Sequence, residues 1–163
     1  MIRSAEPQEL TKLAEIYRAA WHYSFSKYFP PKNLAQVTLG DFEHRWRDFF
    51  VKKHIHSFVY EENKTPVAFV TCGIQQDKSS EILSMMVSPS SIRLGVGSKL
   101  MEKALSFLQD KCRRVELWVV EDNFPARSFY ERFAFSKTGD RRFIQRYGIE
   151  LCQLRYEKHI TPF

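Results

Sequence analysis

Two glycines, Gly95 and Gly97, stand between a strand-like run that ends at Val87 and a helical pattern that starts beside them. Glycine lets the backbone approach a ligand closely and adopt conformations that other residues avoid. The free N–H groups of a helix N-terminus face an anion along the favourable direction of the helix dipole. The segment therefore predicts a phosphate site, although the glycines taken alone are a weak signal because a plain tight turn also explains them.

Two well-known phosphate loops do not fit this segment. A Walker A loop needs lysine directly after its second glycine, but Ser98 separates Gly97 from Lys99. The first glycine of that loop is replaced by Ile92. A dinucleotide-binding fingerprint needs a third glycine where Leu100 stands. The sequence therefore excludes both motifs.

Asn123 and Tyr130 form a second candidate pair, seven residues apart. Asn123 is a natural helix N-cap, and Pro125 suits the first turn of the same helix. Seven residues are about two helical turns, so both side chains lie on one face of the helix. One interpretation makes Asn123 only a cap and Tyr130 only an aromatic residue at the edge of the core. The glycine loop upstream favours a functional site instead.

Hydrophobic periodicity predicts the elements that position these segments. The predicted strands are 2–5, 56–60, 66–74, 81–87, 115–120, 133–137 and 150–156, and the predicted helices are one after Pro7, one around 42–50, 95–112 and 124–133. The run 115–120 lacks polar alternation, which indicates a central strand covered on both faces. The crossover between 81 and 120 makes its two strands parallel neighbours. The order β-α-α-β-β-β-α-β-α-β-β predicts one α/β domain over residues 1–163.

The chain carries 25 Lys and Arg against 19 Asp and Glu, a formal charge of +6. Part of this excess is local, because the segment 93–114 holds six basic residues against Glu102 and Asp110. Such a field attracts a nucleic acid, or a small polyanion such as a phosphorylated cofactor. A basic nucleic-acid-binding module is therefore a rival interpretation, although no recognition motif for DNA or RNA is present.

The spacing of cysteines and histidines gives no sign of a metal site. Cys72, Cys112 and Cys152 are far apart, which is typical of reduced thiols in a cytoplasmic protein. His54 and His56 could share one strand face, but no third ligand is evident. No apolar run approaches the roughly 18–20 residues of a membrane helix. We therefore expect a cytoplasmic protein without a metal or a membrane segment.

Taken together, the two motifs resemble those of the GNAT acetyltransferases, and the resemblance covers nearly the whole chain. The loop pattern of that family, Arg/Gln-x-x-Gly-x-Gly/Ala after a strand ending in Val-x-Pro, corresponds to residues 92–97 and 87–89. Its second signature, Asn-x-x-Ala-x-x-Phe-Tyr-x-x-x-Gly-Phe, is matched by Asn123, Ala126, Phe129, Tyr130 and Phe135. The chain departs from the family twice, because Ile92 replaces the usual Arg or Gln and Ala134 replaces the usual Gly.

The resemblance implies the α/β GNAT fold. In that fold a central, mixed, mostly antiparallel twisted sheet of about seven strands contains two splayed parallel strands and is flanked by about four helices. The resemblance also implies that acetyl-CoA is the co-substrate. The implied coenzyme-binding residues are Met85, Met86, Val87, Ile92, Arg93, Leu94, Gly95, Val96, Gly97, Ser98, Asn123, Ala126 and Tyr130. Because backbone N–H groups make most of such a phosphate site, coenzyme binding should survive the departure at Ile92.

The chemistry implied by the resemblance is direct transfer of the acetyl group to a primary amine in a ternary complex. A backbone N–H near Met86 is expected to stabilise the oxyanion, and Tyr130 to protonate the departing thiolate. An amine with a pKa of about 10.4 also needs a base. Glu81, fourteen residues before Gly95, matches the position of the catalytic glutamate in histone-acetylating relatives. Weaker candidates are Glu116 and Glu121, and a water chain without a single base is a further alternative.

The acceptor site is expected near the first two helices, where the aromatic-rich stretch 21–30 either walls a pocket or simply fills the core. The acceptor amine could belong to a small molecule or to a protein, and a homodimer is compatible with the sequence. A coenzyme-A-binding regulatory domain that has lost catalysis is the remaining rival. Retention of Tyr130 argues against that rival.

Overall fold

The computed structural model describes residues 1–160, which form a seven-stranded sheet with five α-helices. The strands are β1 (Ile2–Ser4), β2 (Ile55–Glu62), β3 (Thr65–Ile74), β4 (Ser79–Val87), β5 (Arg114–Val120), β6 (Ser136–Arg146) and β7 (Ile149–His159). The helices are α1 (Leu10–Phe25), α2 (Pro31–Leu34), α3 (Leu39–Val51), α4 (Val96–Leu108) and α5 (Phe124–Arg132). The helix beyond the four expected is α2, a single turn that begins at a proline, which suits a first helical position.

The sheet has the strand order β1-β2-β3-β4-β5-β7-β6. Every neighbouring pair is antiparallel except β4 and β5, so the predicted mixed, mostly antiparallel sheet is confirmed. The parallel pairing runs only from Ser79 opposite Arg114 to Glu81 opposite Glu116. Beyond Glu81 the two strands separate, as expected for the splayed pair.

Apolar residues cover both faces of the sheet, in two separate clusters. On one face α4 contributes Leu100, Met101, Ala104 and Leu108, which are fully buried. On the other face α1 and α3 pack Leu13, Tyr17, Phe42, Trp46 and Phe49 against Val59 and Phe69 of the sheet. Each large side chain buried in this way stabilises the fold by about 1.5–3 kcal/mol. The two helical layers therefore hold the sheet from opposite sides.

We expected β5 to be covered on both faces, and this expectation was wrong for one face. Val115, Leu117 and Val119 are buried under α4 and α5. Glu116 and Trp118 point to the other face and are only half-buried. The α1 and α3 layer lies over β2, β3 and β4 and leaves this part of the sheet open.

The last two strands are longer than predicted, and β6 begins later, at Ser136 instead of residue 133. Residues 138–146 were missed because they are rich in charge, and β6 is an edge strand that, in the described part of the chain, pairs only with β7. Nearly every side chain of β6 is exposed, so hydrophobic alternation could not indicate the strand. Within residues 1–160, no helix is both long enough and apolar enough to span a membrane.

Candidate active site

The separation of β4 and β5 opens a gap in the middle of the sheet, and two depressions meet there. The first, the loop groove, lies between the end of β4, the loop before α4 and the outer side of α5. The second, the sheet cleft, lies on the α1 and α3 side and is floored by β4, β5, β6 and β7. Met85 lines both depressions. Met85 is therefore the residue at which the two depressions adjoin.

The loop groove has a volume of about 580 Å³, within the range of roughly 300–1,000 Å³ for small-molecule pockets. Gly95 has a φ of 76°, a left-handed conformation that glycine adopts without strain, and α4 starts directly after it. No side chain within residues 1–160 caps this helix, so the N–H groups of its first turn are free to bind an anion. At Gly97, a Cβ atom would lie 3.6 Å from the Phe129 ring, so a larger side chain there would enter the groove.

Most of the implied coenzyme-binding residues lie at one of the two depressions. Those that line the loop groove are Met85, Val87, Ile92, Arg93, Gly95, Gly97 and Ser98. Two residues line neither: Leu94 is exposed to solvent, and the side chain of Val96 is buried in the core. A ligand can therefore contact only the backbone atoms of these two residues, or the exposed side chain of Leu94.

The basic side chains of the segment 93–114 lie mostly away from the loop groove, although the composition of the segment suggested a concentration of positive charge there. Of its six basic residues only Arg93 lines the loop groove. The ammonium groups of Lys99, Lys103 and Lys111 lie over aromatic rings, at 5.6, 5.2 and 4.3 Å from the centroids. A second arginine of the groove, Arg132, comes from α5 and was not predicted. The positive charge at the groove therefore comes from two elements.

Helix α5 places the predicted pair at the sheet cleft. The Asn123 side-chain oxygen accepts a hydrogen bond of 3.3 Å from the Ala126 N–H, which confirms the N-cap. Asn123, Ala126 and Tyr130 all line the sheet cleft. Burial raises the pKa of Tyr130 to about 12, so its phenol stays protonated at neutral pH. The hydroxyl has no hydrogen-bond partner among residues 1–160, which leaves its proton available.

The strand β4 carries an irregularity beside the gap. Thr71 of β3 pairs with Ser84, while the next residue, Cys72, pairs with Ile82, so Leu83 is an extra residue. Met86 consequently packs toward the α1 and α3 cluster, whereas Met85 packs toward the α4 cluster. The Ser84 hydroxyl is buried at the wall of the sheet cleft and has no partner in the described part of the chain. The bulge therefore presents irregular backbone to the gap.

Glu81 lies at the last paired position of β4, next to Ile82 and Leu83, which line the sheet cleft. Glu81 itself does not line the cleft. Burial raises the pKa of its carboxyl, and Glu116 adds to this effect, whereas Arg142 and Arg45 oppose it. The carboxyl of Glu81 makes no direct ion pair within residues 1–160.

The weaker base candidates differ from Glu81 because both are held in ion pairs. Glu116 lies 2.8 Å from Arg114, and Glu121 lies 2.8 Å from Arg141. Each of these carboxylates is therefore already in contact with a guanidinium. Among the three candidates, Glu81 alone makes no ion pair within residues 1–160.

The walls of the sheet cleft were predicted only in part. Trp21 and Phe25 belong to the aromatic stretch expected at the acceptor site, and they do line the cleft. The remaining wall comes from separate elements, with Arg45 on α3, Trp118 on β5, Ile144 and Arg146 on β6, and Leu151 and Gln153 on β7. No local motif connects these residues, so only the folded chain brings them together.

The turn between β6 and β7 closes one end of the cleft region. The Asn33 side chain donates a 2.7 Å hydrogen bond to the Tyr147 carbonyl, and the Tyr147 hydroxyl donates one of 3.0 Å to Asp41. The Tyr147 ring also packs edge-on against Trp21, with centroids 5.7 Å apart. These contacts fasten the hairpin to α2, α3 and α1.

Solved structures share this architecture. The PaiA N-acetyltransferase from Thermoplasma acidophilum, in complex with coenzyme A, superimposes with a TM-score of 0.79 at 18% identity and 98% coverage of both chains. The ribosomal-protein-S18-alanine N-acetyltransferase from Escherichia coli gives a TM-score of 0.79 at 19% identity, over 100% of this chain and 95% of the other. The predicted GNAT fold is therefore confirmed.

Sequence comparison gives the family directly. A protein named as an uncharacterized N-acetyltransferase of Archaeoglobus fulgidus is 31% identical over 79% of this chain and 88% of its own length. One of Methanocaldococcus jannaschii is 31% identical over 83% of this chain, which spans only 60% of that longer protein. The profile of the acetyltransferase (GNAT) family matches residues 10–135. This chain belongs to the GNAT family of acetyltransferases.

Proposed function

We propose that the protein is an acetyl-CoA-dependent N-acetyltransferase that moves the acetyl group to a primary amine by direct attack in a ternary complex. The observation that carries this proposal is the meeting of two depressions in the gap between β4 and β5, with Tyr130 on one side and Met85 shared by both. Family membership and the names of the relatives support the same activity. The coenzyme A in the T. acidophilum structure supports the identity of the co-substrate.

The coenzyme enters from the loop groove. Its pyrophosphate binds the backbone N–H groups of residues 92–98 at the start of α4, where the helix dipole favours an anion. Arg93 and Arg132, which line the groove, add positive charge. The pantetheine arm then runs beside β4 from Val87 to Met85 and delivers the thioester into the gap.

The amine comes from the sheet cleft and must lose a proton before it attacks. Glu81 is the proposed base, because its carboxyl is partly buried, has a raised pKa and is not held in an ion pair. Glu81 precedes Met85 by four residues, about 13 Å along an extended strand. The proton therefore passes from the amine to Glu81 through water in the cleft.

The remaining steps concern the oxyanion and the leaving group. The amine nitrogen forms a bond to the acetyl carbon, and the oxyanion accepts a hydrogen bond from a backbone N–H near Met86, on the stretch of β4 that has no β5 partner. The carbon–sulfur bond then breaks, and Tyr130 gives its proton to the thiolate of coenzyme A. The nitrogen of the intermediate still carries an extra proton after the attack; it gives that proton through water to the Tyr130 phenolate and becomes a neutral amide. Glu81 releases its proton to solvent, so each turnover of an ammonium substrate releases one proton.

A turnover assay tests this proposal. Purified protein is mixed with acetyl-CoA and a panel of amino acids, polyamines, aminoglycosides and peptides, and release of the coenzyme thiol is followed together with the mass of the product. We expect amine-dependent thiol release and an amine heavier by one acetyl group. Acetyl-CoA binding without turnover of any amine would favour the coenzyme-binding regulatory domain instead. The homodimer, the cytoplasmic location and the absence of nucleic-acid binding stay predictions.

A further inference from the structure

Three arginines surround the part of the sheet cleft that lies away from α5. Arg45 comes from α3, and Arg142 and Arg146 come from β6. None of the three lies within ion-pairing distance of a carboxylate in residues 1–160. Several other arginines are paired, as in Arg3 with Glu9, Arg114 with Glu116, Arg141 with Glu121 and Arg155 with Asp140, whereas Arg18 and Arg113, for example, make no ion pair within residues 1–160 either. Three of the arginines that make no ion pair within residues 1–160 therefore lie around one depression.

Arg142 is held against the wall of the cleft by two lining residues. Its Nε donates a 2.7 Å hydrogen bond to the side chain of Gln153, and its guanidinium lies 4.3 Å over the Trp118 ring. Its terminal N–H groups make no hydrogen bond within the described residues. Burial lowers the pKa of Arg142, and the nearby charge of Arg146 lowers it further, whereas Glu81 opposes both. Like charges therefore stand close together without a direct anionic partner.

Arg45 and Arg146 line the cleft themselves. The guanidinium of Arg45 lies over the rings of Tyr17 and Phe49, at 5.9 and 5.8 Å from the centroids. One terminal nitrogen of Arg146 donates to the Gln145 carbonyl of its own strand at 3.0 Å. Both side chains keep donors free toward the cleft. A planar guanidinium of this kind matches the geometry of a carboxylate.

The size of the cleft limits what can bind there. Its volume is about 180 Å³, below the roughly 300–1,000 Å³ of pockets that hold drug-sized ligands. The β6–β7 turn, fastened to α2 and α3 through Tyr147, narrows access to the same region. The cleft itself therefore holds a group of about the size of one amino acid, and a longer amine would extend out of it into solvent.

We propose that the acceptor is a small amine that also carries a carboxylate, such as a free amino acid; this inference rests on the proposed function. Arg142, Arg146 and Arg45 bind the carboxylate, and the ammonium group lies toward Glu81. Glu81 and Arg142 interact but are too far apart for a direct ion pair. The opposite charges of one zwitterion fit between them. The arginines thus determine which amines the enzyme accepts, while the acetyl transfer itself remains with Glu81 and Tyr130.

Matched acceptors test this inference. The kcat/KM of thiol release is measured for free amino acids, for their amides and for the corresponding decarboxylated amines. Lysine, for example, is compared with lysinamide and with cadaverine. Because charge-assisted hydrogen bonds to the carboxylate are lost with the amide, we expect the amino acid to be preferred about ten- to a hundredfold. Arg142→Gln and Arg146→Gln should each reduce this preference, measured as the ratio of kcat/KM for the amino acid to kcat/KM for its amide, about tenfold.

The matched control is Arg141→Gln, because Arg141 adjoins Arg142 on β6 but is paired with Glu121. This variant should keep the full preference for the carboxylate. Calorimetry with amino acid and amide on the coenzyme-loaded protein gives a second readout that does not depend on turnover, and it should show the same preference. Amides, cadaverine or a peptide amine accepted as well as the free amino acid would overturn the inference while leaving the acetyltransferase proposal intact. No thiol release with any amine would overturn both.

Discussion

The loop groove and the sheet cleft, which meet at Met85, are built in different ways. The loop groove draws its walls from two short segments, 85–98 and 125–132, and depends on backbone features such as the free N–H groups of α4. The sheet cleft draws its walls from residues between Tyr17 and Gln153 on α1, α3, α5 and four strands, and depends on side chains. A backbone-built groove suits a ligand common to a whole family, whereas a side-chain-built cleft can change its acceptor by substitution. Four predictions test this division, in order of decreasing effect.

Tyr130→Phe removes the proposed acid between the two depressions. The phenylalanine keeps the ring and its packing on Phe129 and Phe135 but has no proton to give. We expect kcat to fall roughly ten- to a thousandfold, the usual contribution of one positioned acid, with acetyl-CoA affinity preserved. Steady-state kinetics and calorimetry check both values. Tyr23→Phe on the exposed side of α1 is the control and should keep normal turnover; near-normal kcat in Tyr130→Phe would leave this tyrosine with a packing role.

Glu81→Gln removes the proposed base and should lower kcat about a hundredfold at neutral pH. The base acts as a carboxylate, and burial raises its pKa, so the acid limb of kcat/KM in the parent should lie above pH 4.5. That limb should disappear in the variant, and the loss should shrink at high pH, where free amine is abundant. Because burial favours the neutral carboxyl, the melting temperature at pH 7 should not fall.

Glu116→Gln is the matched control for the base. Glu116 lies opposite Glu81 on β5 but is held by Arg114 and Arg155. Its removal should have a much smaller effect on kcat than the removal of Glu81. If the two variants lose equal activity, or if Glu81→Gln keeps its kcat at neutral pH, a water chain or another base performs the step.

Gly97→Val tests the loop groove alone. The new side chain would extend toward Phe129 and Met85, where a Cβ atom already lies at ordinary contact distance. We expect acetyl-CoA affinity to fall about tenfold, or about 1.4 kcal/mol, with little change in melting temperature. Gly97→Ala, which adds only the Cβ, should have a smaller effect. Unchanged affinity in a folded valine variant would contradict the position of the coenzyme.

Ala134→Gly concerns the departure from the family signature and should be the smallest effect. Ala134 has a φ of 62°, which strains a residue with a Cβ atom. Glycine should raise the free energy of unfolding by about 1 kcal/mol and the melting temperature by about 2–4 °C, with kcat unchanged. The same exchange at Ala19, exposed on α1, should destabilise by about 1 kcal/mol. A destabilised Ala134→Gly variant would show that the methyl group contributes more by packing than it costs in strain.

The two depressions also differ in how far the sequence predicts them. Gly95, Gly97, Asn123 and Tyr130 lie in local patterns whose spacing has a physical meaning, so the loop groove and α5 could be predicted. Arg142 could not, because its role depends on Trp118 and Gln153, which reach it only through the β5–β7–β6 pairing. The open face of β5 and the full extent of β6 were missed for a related reason. Periodicity shows which residues avoid water, but not which element lies across from a polar face.

A crystal structure of the protein with acetyl-CoA is the most direct test of the central claim, that the coenzyme fills the loop groove and delivers its thioester to Tyr130. We predict the pyrophosphate on the backbone of residues 92–98, the pantetheine arm beside β4 and the thioester sulfur within hydrogen-bonding distance of the Tyr130 hydroxyl. A coenzyme bound elsewhere, or a thioester that stays outside the gap and away from Tyr130, would contradict the account.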